Sequence, residues 1–318
     1  MSDKTIVITG ASGVVGIHLA ALALSRGWTV RTLTRGRSER DPKGLEKVSW
    51  DPAAAASGDP AAIAAIAGAL EGAQIIVNLA GAGVADKRLT EAWKREVMNS
   101  RLDSARALVK AWAACKRPPG FWVQASAVGF YGDTGDALVD ESTGPGDDYL
   151  AGVCVAWEEA GREIFAVEGA RDKVRQVIAR IGLVFATDSK PWMGMTTPIR
   201  FGAGGPIGSG QQFYPWIDAD DLARAVFFLY EKEGAEGIYN FTGPDPVRQR
   251  DLVRKIASKL RRPAFLPVPA FALRIAIGDM AEALLASNNA PPRRLLDAGF
   301  TFDRANIDQE IEALLADS

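Results

Sequence analysis

The sequence holds one histidine, His18, and two cysteines, Cys115 and Cys154. A single histidine on a helical pattern, with no acids or thiols at ligand spacing around it, argues against a metal centre and against a Ser-His-Asp arrangement. It reads as a helix-surface residue. Two distant cysteines make neither a CxxC motif nor a disulfide framework, and both read as reduced thiols of a cytoplasmic protein. Cys154 reads as a small buried hydrophobe. No uncharged apolar run reaches the roughly 18 residues of a membrane-spanning helix. The opening MSDKTIVITG lacks a basic segment followed by an apolar one, so no secretory signal is expected. An excess of either charge is also missing: 37 Lys plus Arg balance 39 Asp plus Glu, for a net charge of -2. That balance gives no reason to expect a nucleic-acid or membrane partner. What remains is an ordinary globular composition, 47% hydrophobic and 24% charged over 318 residues. Such a chain buries a large core without disulfides or metal, in one large domain or two.

The first half alternates strand and helix signals. Strands are expected at residues 5–9, 29–33, 47–49, 74–78, 121–125 and 173–181, and helices at 13–26, 90–115 and 148–168. The alanine-rich stretch 53–70 is expected to hold a loop and then a short helix, with Asp59 as N-cap and Pro60 at the first helical position. Strand and helix in alternation imply α/β architecture, a doubly wound parallel sheet covered on both faces. Beyond about residue 184 the pattern changes. Glycines crowd residues 202–210, helices are expected at 218–231, 250–260, 269–286 and 307–315, and a short strand at 239–241. The chain thus divides into a nucleotide-binding domain, 1–183, whose sheet continues with segments near 214–242, and a smaller, mainly helical lobe, 184–318.

The most informative motif is Gly10-Ala11-Ser12-Gly13-Val14-Val15-Gly16, between the first strand and the first helix. Gly10 allows the tight turn, Gly13 the approach of backbone N–H groups to a pyrophosphate, and Gly16 the close packing of helix on sheet. A purely structural turn is the weaker alternative. At the end of the second strand, where an NAD site places a carboxylate, stand Thr34 and Arg35, with Arg37 two residues on. A guanidinium pairs with a 2′-phosphate, so the cofactor expected is NADP(H). The alternative is a solvated basic loop.

These residues, with Asn78-Leu79-Ala80-Gly81, resemble the extended and atypical short-chain dehydrogenase/reductase superfamily. Lys87-Arg88, Ser100-Arg101, the segment 126–132, Gly204–Gln211, Trp216-Ile217, Gly278–Ala281 and Gly299–Phe302 narrow the resemblance to sugar-nucleotide-epimerase-like proteins that end in a small domain of unknown function. The resemblance implies cofactor contacts from Gly10, Ser12, Gly13, Val14, Val15, Gly16, Thr34, Arg35, Asp51, Leu79, Ala80, Gly81, Glu96, Arg101 and Val184. Glu96 and Arg101 read equally well as surface charges of a long helix. The glycine-rich segment 200–216 offers Gln211 and Trp216 to a small-molecule substrate, with lobe packing as the competing role for Trp216, and Lys87 and Arg88 are further substrate candidates. No metal is implied. Similar folds dimerise through the two long helices, so a homodimer is a further expectation.

The departure lies in the catalytic set. The superfamily uses Ser, Tyr and Lys, the last two as YxxxK. Here Tyr149 opens the long helix, but Val153 stands where the Lys belongs, and no Lys occurs from Asp148 to Arg171. An unassisted phenol, with a pKa of about 10, is a poor base at neutral pH. Ser126, Tyr131 and Tyr149 remain the catalytic candidates, against structural roles for Tyr149 as a helix-start aromatic and for Tyr131 in the strand-end turn. The residues thus leave two readings: an NADP(H)-dependent oxidoreductase or epimerase-like enzyme on an unknown small molecule, or a non-catalytic NADP(H) sensor.

Overall fold

The structure is a computed structural model and describes residues 4–36 and 42–316. Arg37 lies outside the described residues. The chain starts with β1 (Thr5–Thr9), α1 (Val14–Ser25), β2 (Thr29–Thr34) and β3 (Glu46–Ser49). Two short helices follow, α2 (Pro52–Ser57) and α3 (Pro60–Leu70), then β4 (Ile75–Asn78), α4 (Glu91–Ala114) and β5 (Phe121–Ala127). After α5 (Tyr149–Arg162) come β6 (Arg175–Ile181), β7 (Leu183–Phe185), α6 (Lys190–Arg200), β8 (Phe213–Tyr214), β9 (Trp216–Asp218) and α7 (Ala219–Glu231). The remainder is β10 (Gly237–Phe241), β11 (Val247–Arg248), α8 (Gln249–Leu260), α9 (Ala270–Ile277), α10 (Met280–Leu285), α11 (Arg293–Asp297) and α12 (Ile307–Ala316).

Seven strands form one parallel sheet in the order β3-β2-β1-β4-β5-β6-β10. This is the Rossmann arrangement, and its strand order reverses between β1 and β4. Every residue of β1 and β4 is buried, as an apolar run covered on both faces requires. On one face, Leu19, Ala20 and Ala23 of α1 pack with Val226 and Phe227 of α7. On the other, Ile66 and Leu70 of α3 meet Leu108 and Trp112 of α4. A separate core joins Phe185, Trp192, Trp216, Leu252, Ile256 and Ile311 beneath the C-terminal helices.

Local chemistry sets the helix starts. Thr90, Asp148 and Asp218 cap α4, α5 and α7 with their side chains, and Asp59 caps α3 with Pro60 in its first turn. Four details differ from the sequence expectation. Of the segments near 214–242 expected to continue the sheet, only β10 joins it, while β8 pairs with β11 and β9 with β7 in separate two-stranded sheets. The loop expected before Asp59 is the helix α2, because Asp51 and Pro52 repeat the same cap and first-turn pair ahead of four alanines. The helix expected to reach residue 168 leaves α geometry at Arg162 and closes in a 3-10 turn over Glu163–Ala166. The helix expected over 269–286 is two, split at Gly278, whose φ of 63° breaks the helix.

His18 is on the surface of α1, but it is paired. Its Nδ1 lies 2.6 Å from Asp220 Oδ1 on α7. The hydrogen bond to Asp220 raises the His18 pKa above 6.5, against the lowering effect of partial burial, and lowers that of Asp220 below 3.8. A raised histidine pKa stabilises the fold at pH below 6.5 and ceases to do so as pH rises through the folded value. Solvent screening limits the pair to about 0.5 kcal/mol. The stability deficit of His18→Gln should therefore be largest between pH 3.8 and 6.5 and shrink at higher pH. Thermal melts across this range check it, and a deficit that grows with pH would contradict it.

The first helix is fixed by a tight approach. A Cβ on Gly16 would lie 2.4 Å from the Gly10 carbonyl oxygen and 2.5 Å from Ala11 Cα. Both neighbours are backbone and cannot swing away. Gly16→Ala should cost about 1–3 kcal/mol of stability in urea unfolding. A change of a few tenths would mean that α1 does not press on the turn as described.

Candidate functional site

A cleft of about 1030 Å³ opens at the C-terminal ends of the strands, where the strand order reverses. Its floor is the turn from β1 into α1. Gly10 takes φ +71°, and a Cβ there would lie 2.9 Å from the Leu79 carbonyl oxygen. The facing turn after β4 is held from below. Thr9 Oγ1 donates to Asn78 Oδ1 at 2.8 Å and accepts from the N–H groups of Leu79 and Ala80 at 3.0 Å each. Asn78 Nδ2 donates to Gln124 Oε1 at 3.0 Å. These groups are fully buried, so their hydrogen bonds fix the geometry of the two turns that form the floor.

One wall of the cleft is the start of α1. Gly13 is its N-cap, with no side chain on the first-turn N–H groups and no acid in the first turn. Those donors and the helix dipole are left for an external anion. Gly10, Ser12, Gly13 and Val14 line the cleft, together with Thr34, Arg35, Asp51, Leu79, Ala80, Gly81, Glu96 and Val184. Arg35 is exposed, and no carboxylate stands on the described end of β2. Asp51 lines the cleft while its Oδ1 accepts from Ala54 N and caps α2.

Three of the expected cofactor residues do not line it. Val15 packs toward the sheet core, and Gly16 faces the Gly10–Ala11 backbone. Arg101 lies behind the wall. Its Nη1 donates to the carbonyls of Ala82 and Val97 at 2.9 Å each, and its guanidinium sits 4.9 Å over the Trp157 ring. A Cβ on Gly81 would come within 3.0 Å of its side chain. Trp157 is one helical turn beyond Val153, so the Arg101 charge reaches, from α4, the α5 face from which a YxxxK lysine would project.

The three catalytic candidates are engaged elsewhere, and none lines the cleft. The Tyr149 hydroxyl donates to the Lys94 carbonyl at 2.8 Å. Burial raises its pKa, against the charges of Arg101 and Lys94. Ser126 Oγ donates to Glu158 Oε1 at 2.8 Å, within a buried pair of Glu158 and Arg180. Tyr131 donates to Asn240 Oδ1 at 2.7 Å and accepts from Arg180 Nη1 at 3.2 Å. Cys154 is buried, and burial pushes its thiol up to about 11.

The substrate candidates separate. Lys87 and Arg88 line a shallower depression of about 600 Å³ with Thr90, Ala92, Trp93 and Glu96, and Glu96 borders the main cleft too. The Lys87 ammonium sits 4.6 Å over the Trp93 ring. Trp216 is a correction: it is fully buried, stacked on Phe185, with its indole N–H donated to the Asp245 carbonyl, and so belongs to the core. Gln211 is exposed and lines neither cavity; its carbonyl accepts from Arg248. Gln212 beside it donates to the carbonyls of Ile207 and Leu284, so this glycine-rich loop packs the lobe together.

Sequence reasoning missed other lining residues. Asn99, Ser100 and Asp103 extend the line of Glu96 along α4, at spacings that share a helix face, and that polar stripe was a readable signal. Burial raises the Asp103 pKa. Asp86 and Lys190 form an ion pair at the cleft, and Met280 lines it from α10. Nothing local connects these positions.

Known proteins were compared with the chain. Residues 6–241 match the model of the NAD dependent epimerase/dehydratase family, and residues 268–314 match a domain of unknown function, DUF1731. The chain is 31% identical to the epimerase family protein SDR39U1 homolog, chloroplastic, of Arabidopsis thaliana, over 99% of this chain and 87% of that protein. It is 31% identical to the epimerase family protein YfhF of Bacillus subtilis, over 98% of both. The crystal structure of human epimerase family protein SDR39U1 with NADPH superposes with a TM-score of 0.85 at 29% identity, covering 99% of this chain and all of that one. Among the described residues no helix is long and apolar enough to cross a membrane. With the Rossmann sheet, the glycine turn and a family model spanning most of its length, this chain belongs to the NAD dependent epimerase/dehydratase family.

Proposed function

We propose that the chain binds NADP(H) in the main cleft and acts as an oxidoreductase or epimerase-like enzyme on a small molecule. The observation that carries this reading is one continuous wall. It runs from the uncapped start of α1, which suits a pyrophosphate, to Arg35 at the end of β2, which suits a 2′-phosphate. The NADPH in the human SDR39U1 structure supports the same choice. Hydride donation or acceptance is the chemistry that NADP(H) supplies when bound.

The chain's own residues then have distinct tasks. The first-turn N–H groups of α1 bind and orient the pyrophosphate, and Arg35 selects the phosphorylated ribose. Arg101 is a positioning residue: it clamps the Ala82 carbonyl and so shapes the turn at Gly81. Val184 and Met280 line the cleft from the smaller lobe, and a substrate meeting the nicotinamide would approach from that side. Protons at the Ser126, Tyr131 and Tyr149 hydroxyls are committed to Glu158, Asn240 and the Lys94 carbonyl. The reaction favoured here therefore draws little on that acid–base set, as in reduction of an activated double bond. The same engaged hydroxyls favour a second reading, an NADP(H)-responsive protein without turnover.

Three experiments test this proposal, and the second separates the two readings. Arg35→Ala should weaken NADPH binding about ten- to hundredfold in calorimetric titration while NADH binding changes less than about twofold. Equal loss for both would remove the specificity argument. The NADPH complex should then oxidise its cofactor with at least one member of a carbonyl and enone panel, read by reduced-nicotinamide absorbance. With such a substrate Tyr149→Phe should keep kcat within about threefold, whereas a general acid or base contributes about a hundredfold or more. A hundredfold fall would make Tyr149 the proton carrier after all. Tight NADPH binding with no oxidation across the panel favours the sensor.

A further inference from the structure

Two stretches of the chain contain no Asp or Glu, residues 189–217 and 252–278. They hold Lys190 and Arg200 in the first and Arg254, Lys255, Lys259, Arg261, Arg262 and Arg274 in the second. The fold brings them side by side. Leu266 N donates to the Gly204 carbonyl at 3.3 Å, Val268 N to Pro206 at 2.8 Å, and Gly208 N to Val268 at 2.9 Å. A Cβ on Gly202 would touch Pro263 at 3.8 Å, which sets the turn after α6 against the residues that follow α8.

That junction presents large apolar side chains to solvent. Phe201 is 85% exposed and Phe265 73%, with Leu266 half exposed beside it. A few residues on, α9 has no buried residue at all, and Phe271 and Ile275 stand one helical turn apart on one exposed face. Arg200, Arg261 and Arg262 adjoin Phe201 and Pro263 and form no ion pair among the described residues, while Arg254, Lys255, Lys259 and Arg274 are paired with nearby acids. The exposed aromatic and aliphatic groups of this surface are thus flanked at Phe201 and Pro263 by three arginines that no acid pairs among the described residues.

The geometry points to a peripheral contact between this patch and an anionic lipid surface, with Phe201, Phe265 and the outer face of α9 at the apolar boundary and the three arginines at the headgroups. A second copy of the chain fits less well. A two-fold contact through the patch would bring the three unpaired arginines of one copy toward those of the other. The overall charge balance does not register this surface, because only Arg200, Arg261 and Arg262 are left without a paired acid there among the described residues.

Co-sedimentation of the full chain with vesicles tests the contact. Binding to phosphatidylcholine vesicles containing roughly a third phosphatidylserine should exceed binding to phosphatidylcholine alone by about tenfold, and should fall as salt is raised. The pairs F201S/F265S and R261E/R262E should each reduce the bound fraction about fivefold or more. A thermal melt certifies each variant, and if the phenylalanine pair fails to fold the arginine pair decides. The contact is overturned if the wild type binds neither vesicle or both equally, or if folded variants bind as the wild type does. It is also overturned if sedimentation velocity shows a dimer that F201S/F265S abolishes while vesicles stay unbound.

Discussion

Everything at the cleft depends on how closely two backbone turns approach where the strand order reverses. Gly10 meets the Leu79 carbonyl and Gly16 meets Gly10 itself, at separations that leave no space for a Cβ. The first contact sets the depth of the floor. The second sets the angle at which α1 leaves the sheet and aims its free N–H groups into the cleft. Beneath them Thr9, Asn78 and Gln124 satisfy one another's buried polar groups, so the turns cannot relax without stranding a donor or acceptor. A helix start held this rigidly can bind an anion without paying first to be ordered.

The same rigidity bears on the altered catalytic set. Val153, where a YxxxK lysine would stand, is buried, and Arg101 reaches over from α4 and rests on Trp157. A cation is thus kept near the start of α5, but its Nη1 is spent on the Ala82 and Val97 carbonyls. It braces a turn and does not aim at the cleft. Ser126, Tyr131 and Tyr149 are drawn into the same kind of structural service, through Glu158, Arg180, Asn240 and the Lys94 carbonyl.

How far the sequence could be read follows the range of the interactions. The glycine turn, its flanking strand and helix, and the caps at Asp59, Thr90, Asp148 and Asp218 are decided by neighbours within four residues. The turn, the cap at Asp59 and the helix starts at Thr90, Asp148 and Asp218 were legible, whereas two of the turn residues expected at the cleft, Val15 and Gly16, face the core and the turn backbone instead. The helix α2 was equally local, and Asp51-Pro52 announced it to a reader who weighed the cap above the alanine-rich loop. Long-range partners were not legible. Trp216 sits in a glycine- and aromatic-rich segment that suits a binding loop, and only its stacking on Phe185 makes it core. The Asp86–Lys190 pair joins residues 104 apart in the sequence. The position of Arg101 depends on how α4 packs on α5, which composition and periodicity leave open.

The most direct measurement is a crystal structure of the chain grown with NADPH. The pyrophosphate should lie on the first turn of α1 beside Gly13 and Val14, and the 2′-phosphate within hydrogen-bond distance of Arg35. A nucleotide bound elsewhere, or in the cleft with its 2′-phosphate away from Arg35 in solvent, would contradict the account of how this cleft chooses its ligand.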